Sequence, residues 1–323
     1  MNVSWVRLRL VSLTVLIILV SRTWANDGTP ASEPAVPGGE FTAELNGLKL
    51  WYKVSGTGPV CIMPSSPWGV SSDLYFRTLK PLEKMFTIVY LDPRGTGRSE
   101  RAKSGKEYTW NLLVADLDAL RAHLKQEKVW LMGHSEGGIL VLHYACAHPD
   151  QVRGLVLLNT VAVTDARQLL DEIERRQRRK NQPWFQEAMK ALQAVPKTDA
   201  EMASLAMKFL PLEWSDANKM EKFKDDFAAT TMSVDARRGQ TESKRFPIDL
   251  ISQLKKVSAP ALIVVGDDDP MTSPMAAQRL HLCLRNSKLL LIEKCGHIPW
   301  LEQPREFEAR VPEFLEALGL PRK

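Results

Sequence analysis

The chain has 323 residues, 44% of them hydrophobic and 25% charged, with 18 Gly and 20 Pro, which is enough apolar material for a large buried core. That excludes a disordered chain, a collagen-like repeat and a small disulfide-stapled scaffold. The formal charge of +5 includes Arg7, Arg9 and Arg22 of an N-terminal stretch without acids. The remainder is close to balance, which argues against nucleic acid as a partner.

At the N-terminus, Arg7 and Arg9 precede an apolar run over residues 10–20, and Thr23 and Ala25 are small residues suited to cleavage. This is the pattern of a secretory signal peptide over 1–25, so the mature chain is expected to begin at Asn26 and to work in the periplasm or outside the cell. The alternative is an uncleaved membrane anchor, lengthened by Val6 and Leu8. Residues 26–39, rich in Pro and Gly, read as a tether, and the folded domain is expected from Glu40. Among the four cysteines, Cys61 and Cys146 lie in apolar segments and read as buried, inert thiols, while a bridge between Cys283 and Cys295 is left open.

Residues 41–45 and 48–54 flank Asn46-Gly47, a hairpin signal. The runs 60–63, 86–91, 129–132, 155–158, 261–265 and 289–292 read as strands buried on both faces, because their apolar character is continuous rather than alternating. Helical patterns cover 73–83, 110–125, 138–147, 274–284 and 304–318. Repeated strand-helix units behind an antiparallel hairpin predict a doubly wound α/β plan. Residues 161–250 interrupt it with helical patterns at 166–179, 184–194 and 200–209, predicting a helical cap between core segments 40–160 and 251–323. Within that cap the charged run 174–180 is expected to be a solvated helix face.

The chemistry is expected at Gly133-His134-Ser135-Glu136-Gly137, between a strand and a helix. Small residues two before and two after Ser135 permit the sharp turn that raises its hydroxyl above the sheet. A serine hydroxyl is a weak nucleophile and needs a base, itself oriented by an acid. Acids follow the 261–265 strand in Gly266-Asp267-Asp268-Asp269-Pro270. Of the six histidines, His123, His143, His148 and His281 fall in helical patterns and His134 in the turn itself. Only His297 lies on a post-strand loop after an acid. No His, Cys and carboxylate cluster has metal-ligand spacing, so neither metal nor organic cofactor is expected.

These residues resemble those of the α/β-hydrolase family over 40–320. Asp92-Pro-Arg-Gly-Thr-Gly-Arg-Ser99 looks like the D-x-R-G-x-G-x-S turn of the branch containing prolyl aminopeptidases, and Gly133-His-Ser-Glu-Gly-Gly138 is similar to its elbow. The resemblance implies an α/β-hydrolase fold, a mostly parallel central sheet flanked by helices with an inserted cap, with Ser135 as nucleophile and His297 as base. It also selects Asp269, from the third position after the glycine, as the acid; Asp267 and Asp268 are then expected to hold turn amides or meet solvent. Taken alone, 94–99 could suggest a phosphate loop, but it lacks the required lysine or third glycine and reads as a structural turn.

Where this branch carries a His-Gly-Gly-Pro-Gly-like oxyanion segment, the chain has Pro64-Ser-Ser-Pro-Trp-Gly69. By position the oxyanion donors are expected to be the amides of Ser66 and Glu136, with Trp68 as the fallback for the first. The implied activity is acyl transfer through an acyl-enzyme, as an aminopeptidase on a short peptide or amide or as an esterase on a small ester. A non-catalytic binding protein of the same fold is the reading from another class. The partner is expected to be a small molecule or short peptide, with no stable membrane insertion after signal cleavage. Glu172, Glu187, Glu201, Glu213 and Glu221 are the cap acids available to hold a substrate ammonium, and Trp184, Phe185 and Trp214 are candidates for a pocket wall.

Overall fold

The computed structural model describes residues 34–320, so the expected leader 1–25 and tether residues 26–33 lie outside the described residues. Strands β1 (Gly39–Leu45) and β2 (Leu48–Gly56) form the expected hairpin. Asn46 and Gly47 have φ of 51° and 76°, the positive pair of a tight turn that matches strand twist.

The chain continues through β3 (Val60–Pro64), α1 (Asp73–Thr78), β4 (Thr87–Leu91), α2 (Trp110–His123), β5 (Val129–His134), α3 (Glu136–Ala147) and β6 (Val152–Leu158). After β6 come five helices in succession: α4 (Ala166–Gln177), α5 (Phe185–Gln193), α6 (Asp199–Phe209), α7 (Lys224–Ala228) and α8 (Val234–Glu242). The sheet then resumes with β7 (Ala261–Gly266), α9 (Pro274–Cys283) and β8 (Ser287–Ile292), followed by α10 (Pro299–Glu302) and α11 (Pro304–Glu316). Strand order is β1-β2-β4-β3-β5-β6-β7-β8, antiparallel through β1, β2 and β4 and parallel from there to β8.

Alternate side chains of the central strands enter two cores, one on each face of the sheet. Ile62, Leu131, Leu155, Leu157 and Ile263 pack with α2, α3 and α9. Cys61, Met63, Met132, Val156 and Leu262 pack with α1 and α11. Two-sided burial is why these strands are apolar throughout, but β8 departs from the expectation. It is an edge strand whose Leu291 is 42% exposed, so only alternate residues are covered. The helix expected over 73–83 also stops at Thr78 and continues as a 3-10 turn, Lys80–Lys84. Pro81 has no N–H for the Arg77 carbonyl and its ring crowds that turn.

The turn after β4 is structural, as expected. Buried Asp92 accepts from the amides of Ser72 (2.7 Å) and Arg98 (2.9 Å), and Arg94 pairs in bidentate fashion with Asp116 at 2.6 and 2.7 Å. Breaking such a buried pair by removing one partner costs about 3–5 kcal/mol. The cysteines are free: Cys61, Cys146 and Cys295 are buried and Cys283 half-buried.

The inserted helices are tied to the core by specific polar contacts. Arg179 is the clearest case, because the solvated-face expectation for 174–180 fails there. Its guanidinium is buried against the Trp214 carbonyl and the Asp268 carboxylate (2.8 Å), and Arg175 reaches the Asp267 carbonyl at 3.0 Å. Only Glu174, Gln177, Arg178 and Lys180 of the run are exposed. Main-chain pairing adds Ser71 to Thr231 (3.0 Å) and a bridge between Val70 and Met232. No helix among the described residues is long and apolar enough to cross a membrane.

Candidate active site

Ser135 stands between β5 and α3 with φ 53° and ψ −126°, a conformation that costs about 1–3 kcal/mol and holds its side chain out of both elements. Small neighbours make the turn possible. A Cβ on Gly133 would lie 2.6 Å from the Gly137 carbonyl, one on Gly137 2.9 Å from that of Pro64, and one on Gly138 2.6 Å from Thr160. The turn is then pinned: the Ser135 amide donates to the carbonyls of Leu158 (3.0 Å) and Asn159 (3.1 Å), and its own carbonyl accepts from Thr160 Oγ1 at 2.7 Å.

Asp269 and His297 come together at the carboxyl ends of β7 and β8, where Asp269 Oδ2 lies 2.8 Å from His297 Nδ1. The same oxygen accepts from Asn159 Nδ2 (2.7 Å) and Thr272 Oγ1 (2.6 Å), and Oδ1 accepts from the amides of Met271 (2.7 Å) and Thr272 (3.1 Å). Burial alone would raise the carboxyl's pKa, but the facing imidazole and these bonds hold it below the usual carboxylate range. For His297 burial alone would lower the pKa; the Asp269 carboxylate outweighs it and holds it above 6.5. Asp267 accepts the Cys295 amide at 3.1 Å and Asp268 takes Arg179, so neither touches the imidazole.

His134 supports this loop without joining the chemistry. Burial pushes its pKa down to about 3, so the ring is neutral. One ring nitrogen, Nε2, is 2.8 Å from the His297 carbonyl, and the other, Nδ1, is 3.1 Å from the Tyr75 hydroxyl. A carbonyl can only accept, which assigns the proton to Nε2 and leaves Nδ1 to accept from Tyr75. On its other side His297 donates its amide to the Glu213 carbonyl at 2.6 Å.

Ser135 and His297 share one pocket of about 230 Å³ with Ser66, Trp68, Glu136 and Glu213. The Ser66 amide has no hydrogen-bond partner among the described residues, and Glu136, first in α3, has its N–H outside the helix ladder. The Trp68 amide lies 3.4 Å from Ser66 Oγ. Behind these two segments lies a contact that the sequence did not signal. Arg245, fully buried, donates from Nη2 to the Pro67 carbonyl (3.0 Å) and lies 3.2 Å from Glu136 Oε1, which also accepts from Gln240 at 3.1 Å. The insert thus reaches both expected oxyanion segments at once.

Of the five cap acids, only Glu213 lines the pocket. Glu187 pairs with Lys208, Glu221 with Lys224, Glu201 caps the start of α6, and Glu172 is bonded to Gln168 and Arg176. The carboxylate of Glu213 has no hydrogen bond or ion pair among the described residues. Burial pushes its pKa up to about 7, with His297 lowering it and Asp269 raising it. The expected aromatic wall is also corrected. Trp184 and Phe185 pack inside the insert, and Trp214 is buried against Phe223 and Phe227, while Trp68, Phe209 and Phe227 face the pocket. Asn159, just after β6, and Thr272, in the loop after β7, hold the Asp269 carboxylate and carried no sequence signal of that role. Among the described residues no His, Cys, Asp and Glu side chains are grouped to hold a metal ion.

The chain is similar to known proteins over most of its length. Residues 59–304 match the family model described as alpha/beta hydrolase fold. A proline iminopeptidase of Lactobacillus helveticus is 26% identical over 299 residues, covering 84% of this chain and 95% of that protein. Among solved structures, an alpha/beta fold family hydrolase from Bacillus anthracis aligns with a TM-score of 0.70 at 19% identity, over 86% of this chain and 99% of that one. The enol-lactonase from Burkholderia xenovorans aligns with a TM-score of 0.65 at 24% identity, over 85% of this chain and 100% of that one. At these identities the two structures bear on the fold alone.

Proposed function

The chain belongs to the alpha/beta hydrolase fold family, and on that premise we propose that it is a serine hydrolase that removes an N-terminal residue from a short peptide or amide through an acyl-enzyme. Ser135 Oγ attacks the carbonyl carbon while His297 takes its proton, and Asp269 holds the imidazole and stabilises its charged form. The developing oxyanion is received by the amides of Ser66 and Glu136, each worth about 3 kcal/mol in the transition state. His297 returns the proton to the departing amine, and a water activated by the same base releases the acid.

The observation that carries the choice of an amine-bearing substrate is Glu213. A carboxylate without a partner, facing a mostly apolar pocket beside the base, is stabilised by an incoming ammonium that replaces its lost solvation. The apolar wall formed by Leu74, Phe227, Met271 and Ile298 suits a compact side chain such as a proline ring. The relative named as a proline iminopeptidase supports the same reading.

The test is a panel of aminoacyl amides, prolyl included, run beside short-chain esters. Hydrolysis of the amides, weakened in Glu213→Gln while esters are spared, supports the proposal. Hydrolysis of esters alone replaces it with a carboxylesterase, the reading that the apolar wall favours. A Ser135→Ala variant as active as the parent contradicts both.

A further inference from the structure

The pocket wall carries a second charge without a counter-charge. Arg237, on α8, is its only lysine or arginine among the described residues. Its guanidinium is half-buried, stands over the Trp68 ring at 5.3 Å and bonds to the side-chain carbonyl of Gln240. No carboxylate lies within 4.0 Å of it among the described residues. The acids nearby are already engaged: Glu136 by Arg245 and Gln240, and Asp235 by Arg101 and Arg238 on the outer side of α8. Burial lowers the Arg237 pKa, with Glu136 opposing, which marks a cation short of solvent and of partners.

Position gives this charge its meaning. Glu213 meets the nucleophile from the His297 side, through the bond between its carbonyl and the His297 amide. Arg237 lines the same pocket with its guanidinium over Trp68, and Ser135 and Glu136 are among the other lining residues. A ligand in the pocket of Ser135 therefore meets an anionic group, Glu213, and a cationic one, Arg237, within about 230 Å³. A planar fork of N–H donors in an apolar wall is built for a carboxylate.

Resting on the aminopeptidase reading for its amine end, we infer that Arg237 binds a carboxylate of the substrate, and that free dipeptides, zwitterions with an ammonium and a carboxylate close together, are the preferred class. The matched pair Pro-Gly and Pro-Gly-amide tests this, because the two differ only at the carboxyl end. The free dipeptide should have a kcat/KM at least about tenfold above the amide, the size of one charged hydrogen bond. Arg237→Gln should bring that ratio to about one through a higher KM for the acid, and Arg237→Lys should restore part of it. Each variant serves as its own control, since a general loss of folding lowers both rates and leaves the ratio unchanged. A parental ratio of one, or a ratio that survives Arg237→Gln, overturns the inference. Should neither prolyl compound be cleaved while esters are, the amine reading falls. The Arg237 assignment is then read from short esters with and without a terminal carboxylate, where the same ratio and the same loss support it and equal rates overturn it.

Discussion

On the sheet side of the pocket, the Asp269 carboxylate is held by Met271, Thr272, Asn159 and His297, and the Ser135 turn is fixed by Leu158, Asn159 and Thr160. On the insert side, the Glu213 carboxylate has no hydrogen bond or ion pair among the described residues, and Arg237 has only an uncharged partner. A cluster held by so many bonds cannot move without losing several of them, so it keeps its groups in place. An unsatisfied one gains its missing interactions only when a ligand supplies them. On the proposed function, the difference separates the part of the pocket assigned to chemistry from the part assigned to selecting the substrate.

The strongest way to break this comparison is Ser135→Ala, which should lower kcat by about five to six orders of magnitude while leaving thermal unfolding little changed. Next is Asp269→Asn, expected to cost about 10⁴ in kcat because the imidazole loses its orienting anion. Its neighbour provides the contrast: Asp268→Asn removes the Arg179 ion pair, and should lower the unfolding temperature with less than about tenfold effect on kcat. Reversal of these two effects in steady-state kinetics would show the acid to be misassigned.

Smaller effects belong to the insert side. Glu213→Gln should raise KM for aminoacyl amides by about 10- to 100-fold and leave esters nearly untouched. The pH profile sharpens the same point. His297 is held above 6.5 and acts as a base, so activity rises with pH as it loses its proton. Glu213, pushed up to about 7, must lose its own proton to hold an ammonium. Below about pH 6.5 aminoacyl substrates should therefore show a steeper acid limb than esters, and Glu213→Gln should remove the extra steepness. Equal slopes for both substrate types would remove Glu213 from substrate binding.

This division also governs what could be read from the sequence. The strand runs, the hairpin dipeptide and the Ser135 elbow are local patterns, and each is found where expected. Among 267–269, main-chain geometry after one strand decides which carboxylate reaches the imidazole, and the family pattern at the third position after Gly266 was needed to select Asp269. Asn159 and Arg245 were illegible because their roles come from segments distant in the chain: Asn159 meets Asp269 across 110 positions and Arg245 meets Pro67 across 178. Arg179 was misread for the same reason, since a run of charges gives no sign that one of them turns inward to Asp268. Leu291 shows the limit from the other direction: an apolar run cannot report that its strand lies at the sheet edge.

The most direct test of the central claim is intact-mass analysis and peptide mapping after reaction with a fluorophosphonate. One phosphonyl adduct at Ser135 is predicted, formed more slowly as pH falls below the His297 pKa and absent in Ser135→Ala. A parent protein that takes up no label, or a label that persists in Ser135→Ala, would contradict the account.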